Sequence, residues 1–259
     1  MLAKNHQHIN DSRISFDEAK HDYFIDGNKV KFSVTEIIGK FFPEFDSDYW
    51  AERKAIEKLN QDYVEYDSEI LKATIKQILD GWEKKRIDAA SKGTILHEKI
   101  EDFYNERFHN DYPPEFEYFK NFHNKYKKLE AYRTEWRIFD QSLSLAGTVD
   151  MVYKKENGEL FIFDWKRTSK LVDQNNHPIL KDFNYGYEGL SHVADNSFNR
   201  YALQQNVYKF ILEKYYDKKI SSMNLLVLHP NYTNYVHLKL PEMKKEAAFL
   251  IEQAKELSK

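Results

Sequence analysis

The stretch GTVDMVYKKENGELFIFDWK, residues 147–166, contains two β-strand patterns around an Asn-Gly pair. Each pattern has an aspartate towards the end that lies farther from this pair, Asp150 in the first and Asp164 in the second. Branched and aromatic residues favour strands, and Asn-Gly is typical of a hairpin turn. A two-residue loop would set Glu156 against Glu159, and like charges directly opposite each other are destabilising. A three-residue loop, 156–158, with its glycine in the left-handed conformation pairs Lys155 with Glu159 instead. We therefore predict the three-residue loop.

This register places two carboxylates on one face of the sheet. Asp150 lies opposite Asp164, with about 4.5–5.5 Å between Cβ atoms, and Lys166 shares their face because side chains alternate along a strand. The other face is predicted to be apolar and to contain Val149, Met151, Tyr153, Phe161, Phe163 and Trp165. Two such carboxylates repel unless one takes up a proton or a cation lies between them. Magnesium or manganese would suit these oxygen ligands, and a structural ion pair of Asp150 with Lys166 is the alternative; geometry alone leaves both open.

The rest of the chain predicts an α/β (α+β) fold with a central mixed sheet flanked by helices, after an N-terminal hairpin and a helical elaboration. The hairpin is expected at 21–32, and Ser33 with Glu36 forms a capping-box pattern for a short helix to about Lys40. Further helices are predicted at 46–60, 67–90, 94–108, 114–129, 200–216 and from about 242, and further strands at 132–140, 222–230 and 234–241. We expect a single domain over 1–259, divided into the elaboration (1–90), a core (91–240) and a C-terminal helix (241–259).

The composition excludes several kinds of site. Cysteine is absent, which excludes disulfides, zinc-thiolate sites and iron–sulfur clusters. The chain has 39 basic and 42 acidic residues, and this net charge of −3 does not by itself indicate a polyanion as a partner. The N-terminus has no pattern of a signal peptide, and no apolar run reaches the roughly 18 residues of a membrane span. We expect a cytoplasmic protein that is not secreted and has no membrane partner.

Four motifs together resemble those of a nuclease superfamily. GTVD at 147–150 and DWK at 164–166 resemble the core signature of the PD-(D/E)XK nucleases. GTILH at 93–97 is similar to the histidine motif of the RecB-type exonuclease branch, and Gln204 with Tyr208 matches that branch's Q-x-x-x-Y motif. The hairpin followed by FSVTEII resembles the N-terminal segment of mitochondrial genome maintenance exonucleases and related phage enzymes. The motifs occur in the order that this family shows.

The resemblance implies a restriction-endonuclease-like core and a Mg²⁺- or Mn²⁺-dependent deoxyribonuclease with one or two ions. The implied activity is exonucleolytic hydrolysis of single-stranded DNA or DNA ends, in the cytoplasm of a bacterial or phage-infected cell, with a replication or recombination protein as a partner. Some relatives carry an iron–sulfur cluster on four cysteines, so this chain resembles the members without one. A structure-specific endonuclease on DNA or RNA, and a non-catalytic nucleic-acid-binding protein on a nuclease fold, are the alternatives.

The resemblance also implies residue roles. The implied metal ligands are His97, Asp150, Asp164 and the backbone carbonyl of Trp165, and the implied catalytic residues are Asp150, Asp164 and Lys166. The implied DNA-positioning residues are Gln204, Tyr208, Arg167 and Tyr201. Glu135 lies where relatives often carry an acid and is expected at most to support the ligands. Glu101, one helical turn after His97, is a second candidate for such support, with a surface role as its alternative. Read without the resemblance, His97 is a satisfied core histidine, and Gln204 and Tyr208 are ordinary packing residues of one helix face.

The segment 169–199 is long for a connection without secondary structure, and such loops are usually functional or disordered. It leaves the strand that carries Asp164 and contains Phe183, Tyr185 and Tyr187 around a glycine. We predict a loop that guides a DNA strand over the site and stacks these rings on bases.

Overall fold

The computed structural model describes residues 1–62, 65–180 and 183–258. The chain divides into two compact units, one formed by Met1–Pro43 with Leu96–Lys259 and the other by Glu44–Ile95. The first unit contains all the strands and all the residues predicted for the site. The second is helical.

The described residues form seven α-helices and nine β-strands. The helices are α1 (Leu2–Asn5), α2 (Val34–Gly39), α3 (Ser47–Gln61), α4 (Ser68–Tyr104), α5 (Phe116–Lys125), α6 (Ser197–Tyr215) and α7 (Lys244–Leu257). The strands are β1 (Ile14–Asp17), β2 (Asp22–Ile25), β3 (Asn28–Lys29), β4 (Phe32–Ser33), β5 (Glu130–Asp140), β6 (Leu145–Lys154), β7 (Leu160–Lys166), β8 (Ile220–Val227) and β9 (Val236–Lys239). None of these helices is both long enough and apolar enough to cross a bilayer.

The strands form two sheets. Strands β1, β2 and β3 make a small antiparallel sheet, which includes the predicted N-terminal hairpin. The larger sheet runs in the order β4-β6-β7-β8-β9, with β5 also paired to β6. It is mixed, because β4–β6 and β7–β8 are parallel and the other pairs are antiparallel. The predicted α+β class, with a mixed sheet flanked by helices and an N-terminal hairpin, is confirmed.

The turn between β6 and β7 has the predicted three-residue form. The Lys155 backbone N–H donates to the Glu159 carbonyl at 2.9 Å, and Gly158 has φ of +84°. The ladder continues from there to Met151 opposite Phe163. The predicted register is therefore confirmed.

Each face of the large sheet packs against helices. Phe163, Trp165, Met151 and Tyr153 pack with residues of α4 and α5, as the alternation predicts. The predicted place of Val149 on this face is wrong: it pairs with Trp136 and packs in the larger cluster that contains α6 and α7. The departure coincides with Glu135, whose φ of +43° interrupts the regular pleat of the neighbouring strand.

One further prediction changes and another is confirmed. The helices expected at 67–90 and 94–108 are one continuous helix, α4, because Gly93 does not break it. At Gly93 an added Cβ would meet nothing within 4 Å, and an isolated glycine costs a helix only about 1 kcal/mol relative to alanine. The short helix α2 begins as predicted, with a capping box between Ser33 and Glu36.

The predicted irregular segment 169–199 is held to the rest of the first unit, although 181–182 lie outside the described residues. Isolated bridges join Val172 to Pro178 and Tyr185 to Ala194. Leu171, Val172, Leu190 and Val193 are buried in the larger core cluster. The segment is therefore an anchored loop with a short 3₁₀ turn at Glu188–Leu190.

Candidate metal and catalytic site

Three acidic residues lie side by side across three neighbouring strands. Glu135 of β5 falls between two ladder pairs that set it opposite Asp150 of β6. The β6–β7 register, continued by one residue beyond its last ladder pair, sets Asp150 opposite Asp164. Asp164 is 2% exposed and Asp150 is 8% exposed. The sheet thus brings three carboxylates together, two of them buried and that of Glu135 partly exposed, with 31% of its side chain accessible.

His97 joins this row from helix α4. Its neighbours Leu96 and Ile100 are fully buried, so the packing of this helix turn fixes where the imidazole lies. Nδ1 of His97 is 3.6 Å from Glu135 Oε1 and 3.6 Å from Asp150 Oδ2, and Nε2 is 2.9 Å from the Trp165 carbonyl oxygen. The imidazole therefore bridges the carboxylates and the backbone of the strand that carries Asp164.

His97, Glu135 and Asp150 form a group suited to a metal ion. One ligand atom from each lies within 4.8 Å of the others, and no other such group of three or more occurs among the described residues. The two carboxylates suit Mg²⁺ or Mn²⁺ and the imidazole suits transition metals, so the donor set fits a divalent cation without selecting one. Binding of Mg²⁺ or Mn²⁺ here stays a prediction.

Asp164 has a different partner. Its Oδ2 lies 2.6 Å from Lys166 Nζ, in an ion pair that lacks the angles of a good hydrogen bond, so this buried oxygen has no well-aligned donor among the described residues. Lys166 Nζ also lies 4.4 Å from the centre of the Tyr201 ring. The structural alternative expected Lys166 to pair with Asp150, and the ion pair is with Asp164 instead. Asp164 lies outside the three-residue group, and its role as a ligand stays a prediction.

Asp150 is oriented by the backbone of the neighbouring strand. Its Oδ2 accepts a hydrogen bond of 2.9 Å from the Trp165 N–H. Trp165 is itself 2% exposed and lies in the aromatic cluster beneath the site. The packing of Trp165 in the core therefore helps to position the Asp150 carboxylate on the neighbouring strand.

The pKa values reflect an excess of acid. Burial raises the pKa of Asp150, as does Glu135, and together they outweigh the opposite effects of His97 and Lys166. Burial and Asp150 raise the pKa of Asp164 to about 7 against the lowering effect of Lys166. Burial lowers the pKa of His97, but Asp150 and Glu135 outweigh it and raise the value to about 9. A cation near these carboxylates would relieve the repulsion.

Lys166 is held in its charged form. Burial lowers its pKa, but Asp164 and Asp150 outweigh that effect and raise it above its ordinary value. A charged ammonium at this place can attract a phosphate oxygen or orient a water molecule.

Helix α6 supplies the two residues of the Q-x-x-x-Y motif, which have different environments. Gln204 is half-buried; its Nε2 donates to Thr35 Oγ1 at 3.1 Å, and its buried Oε1 has no partner among the described residues. Tyr208 is 4% exposed and packs over Gly147, where an added Cβ would lie 2.5 Å from Tyr208 Cε1. Gly147 therefore leaves the space that the Tyr208 ring occupies, and Tyr208 packs in the core.

Two other predicted residues are engaged away from the carboxylate row. Arg167 forms a buried ion pair with Glu115, whose side chain is 2% exposed. Glu101 is half-buried and lies 3.8 Å from Arg107. Their predicted roles, in positioning DNA and in supporting the ligands, stay predictions.

Sequence reasoning undervalued Glu135 and missed Glu115. A carboxylate oxygen of Glu135 lies within 4.8 Å of a possible ligand atom of His97 and of Asp150. The φ of Glu135 is +43°, a left-handed value that is rare for a residue with a Cβ. Backbone strain of this kind costs about 1–3 kcal/mol and clusters at functional sites. The signal available in the sequence was an acid opposite Asp150 in the β5–β6 register.

Comparisons with known proteins add little to this geometry. No family model matches the chain, and no curated protein matches it. Among the solved structures that match is the crystal structure of SSO0001, with a TM-score of 0.36 and 12% identity over 87% of this chain and 75% of that chain.

Proposed function

We propose that this protein is a divalent-metal-dependent nuclease that hydrolyses phosphodiester bonds in DNA, acting on single strands or DNA ends. The observation that carries the proposal is the row of Glu135, Asp150 and Asp164 with His97 at one end and Lys166 at the other. A purely structural cluster would balance its charges, whereas this one sets two buried carboxylates and one partly exposed carboxylate against one lysine and one histidine.

The residues divide into two groups by their contacts. His97, Glu135 and Asp150 would hold Mg²⁺ or Mn²⁺, with Asp164 and the Trp165 carbonyl adjoining them. When bound, such an ion lowers the pKa of a coordinated water and offsets charge on the scissile phosphate. Lys166, held charged beside Asp164, orients the attacking water and offsets charge that develops on the phosphate in the transition state.

Asp164 and Tyr201 position that lysine. The carboxylate lies 2.6 Å from Nζ, and the centre of the Tyr201 ring lies 4.4 Å from the same atom. Two such contacts restrict a side chain that otherwise has many rotamers. Positioning of this kind is where a nuclease site gains most of its rate, since the protein has little covalent chemistry to perform.

The test is a cleavage assay with Mg²⁺ or Mn²⁺, with and without chelator, on the wild type and on Asp164→Asn and Lys166→Ala. We expect each variant to lose about 100- to 1,000-fold or more of the rate, the range seen when one preorganised charge is removed. Chelator should abolish cleavage. Metal-independent cleavage, or undiminished cleavage by both variants, would contradict the proposal.

The choice of substrates separates the modes of attack. Linear single strands, circular single strands and end-blocked duplexes are compared at equal nucleotide concentration. Cleavage of the linear strand alone is the result expected of an exonuclease. Cleavage of the circle would assign an endonuclease to the same site.

A further inference from the structure

The loop that follows β7 carries two tyrosines on a fixed backbone. Tyr185 forms an antiparallel bridge with Ala194, and the Gly186 N–H donates to the Val193 carbonyl at 3.0 Å. Tyr187 has φ of −104° and ψ of 159°, which is extended backbone. The stretch from Tyr185 to Tyr187 is therefore strand-like, and its two tyrosine side chains share a face.

This stretch is packed closely onto the core of the first unit. An added Cβ at Gly186 would lie 2.7 Å from Leu190 Cβ and 3.0 Å from the Phe41 carbonyl oxygen, so no side chain fits there. The Tyr187 N–H donates to the same Phe41 oxygen at 2.8 Å. The backbone between the tyrosines is pinned, and the rings are presented from a rigid support.

The rings themselves face solvent. Tyr185 is 51% exposed and Tyr187 is 49% exposed, while Gly186 between them is buried. Neither ring contacts another aromatic ring, and neither hydroxyl makes a hydrogen bond, among the described residues. About half of the surface of each tyrosine is open to solvent on a pinned backbone, so the two rings are available to a partner.

The spacing of the tyrosines fits one nucleic-acid base. Residues i and i+2 of an extended chain are separated by about 6.7 Å, which is roughly twice the 3.4 Å between stacked bases. One base therefore fits between the two rings with a face on each. An unpaired base offers both faces, whereas a base in a duplex is already stacked.

We propose that Tyr185 and Tyr187 form a base-stacking clamp that selects an unpaired DNA strand for the site. The inference rests on the proposed nuclease function and adds to it the surface that recognises the substrate. The clamp gives affinity without sequence preference, because every base has an aromatic face.

The ends of the loop connect the clamp to the site. The loop starts directly after Lys166 and leads into α6, whose Tyr201 lies on that lysine. Along the way, exposed Lys170 makes no ion pair with a described residue and lines a cavity of about 260 Å³ together with the ion pair of Arg200 and Asp195. This cation complements the phosphate backbone of a strand that runs between the clamp and the carboxylates.

The test measures binding of a fluorescent 20-nucleotide oligothymidylate, in chelator, to the full chain. Proteins compared are the wild type, the double variant Tyr185→Ala/Tyr187→Ala and the control Tyr185→Phe/Tyr187→Phe, which keeps the rings. We expect the alanine variant to raise Kd about 5- to 150-fold, as stacking of roughly 1–3 kcal/mol per base implies, and the phenylalanine variant to bind like the wild type. Melting temperatures should agree, because the removed rings are exposed.

An oligonucleotide with consecutive abasic sites supplies the second arm. It keeps the phosphates but lacks the stacking partners, so the wild type should bind it as weakly as the alanine variant does, and the alanine variant should not distinguish the two oligonucleotides. Equal affinity of the wild type for both oligonucleotides overturns the clamp. So does an unchanged Kd in the alanine variant, or self-association of the wild type that only this variant loses.

The clamp and the nuclease function fail separately. Loss of affinity in the alanine variant, with no metal-dependent cleavage in any preparation, keeps the clamp and rejects the nuclease. Cleavage that Asp164→Asn abolishes, together with wild-type binding by the alanine variant, keeps the nuclease and rejects the clamp.

Discussion

Strand β5 contributes to two charged clusters of opposite character. Asp11 accepts hydrogen bonds from Arg133 at 2.8 Å and from the Trp136 indole at 3.0 Å, so one carboxylate meets one guanidinium. Between those two strand residues, Glu135 contributes to a row of three carboxylates. The first cluster is balanced in charge and the second has an excess of acid.

The pKa shifts of the two clusters have opposite signs. Burial raises the pKa of Asp11, but the hydrogen bonds and charge of Arg133, with those of His8 and Trp136, outweigh it and hold the value below its usual range. Burial and Glu135 raise the pKa of Asp150. Folding therefore stabilises the ionised form of Asp11 and destabilises that of Asp150. A cation bound beside Asp150 would offset this cost, as it does next to other buried carboxylates.

The largest effect is expected at the balanced cluster. Asp11→Ala leaves Arg133, which is 5% exposed, without its counter-ion, and removal of one partner of a buried ion pair costs about 3–5 kcal/mol. We expect about 3 kcal/mol of lost stability, since the Asp11 side chain is 24% exposed. Urea unfolding followed by circular dichroism measures the change.

The matched control is Glu83→Ala, which breaks a solvent-exposed ion pair with Arg86. We expect no resolvable shift of its unfolding midpoint. A loss at Asp11 as small as that of the control would remove the contrast between the two clusters.

The fold was predictable wherever a local rule decided it. The β6–β7 register followed from the charges of Glu156 and Glu159 and from one glycine, all within the turn. The continuity of helix α4 was not predictable, because Gly93 weakens a helix without ending it and the outcome depends on tertiary packing. Local chemistry determined the turn, and the whole molecule determined the helix.

The candidate site was predictable to the same extent. Asp150, Asp164 and Lys166 share a face by alternation along two paired strands, and that could be worked out from spacing. The place of Glu135 among the candidate metal ligands could not be worked out in this way, because it depends on a left-handed φ that no propensity favours at a glutamate. The pair of Glu115 with Arg167 joins residues far apart in sequence, which a single sequence does not connect.

The next effect concerns the metal. Glu135→Gln keeps the size of the side chain and removes one of three candidate ligand charges, so we expect Mn²⁺ affinity to fall about 10- to 100-fold. Quenching of tryptophan fluorescence by Mn²⁺ or titration calorimetry measures the affinity. Glu130→Gln is the control, since Glu130 lies exposed on the same strand and is 4.0 Å from Lys154. Equal Mn²⁺ affinities of the two variants would leave Glu135 with a purely structural role.

The smallest effect has the opposite sign to that of Asp11. Because the raised pKa of Asp150 means that its ionised form destabilises the folded chain, Asp150→Asn should increase stability in chelator, by about 1 kcal/mol at pH 7. The amide oxygen can still accept the Trp165 N–H, so the strand contact is retained. Added Mn²⁺ should then stabilise the wild type and leave the variant unchanged, because only an intact site binds the ion. Destabilisation by Asp150→Asn in chelator, of the size seen for Asp11→Ala, would make the row of acids a second balanced cluster and remove the physical reason for a cation there.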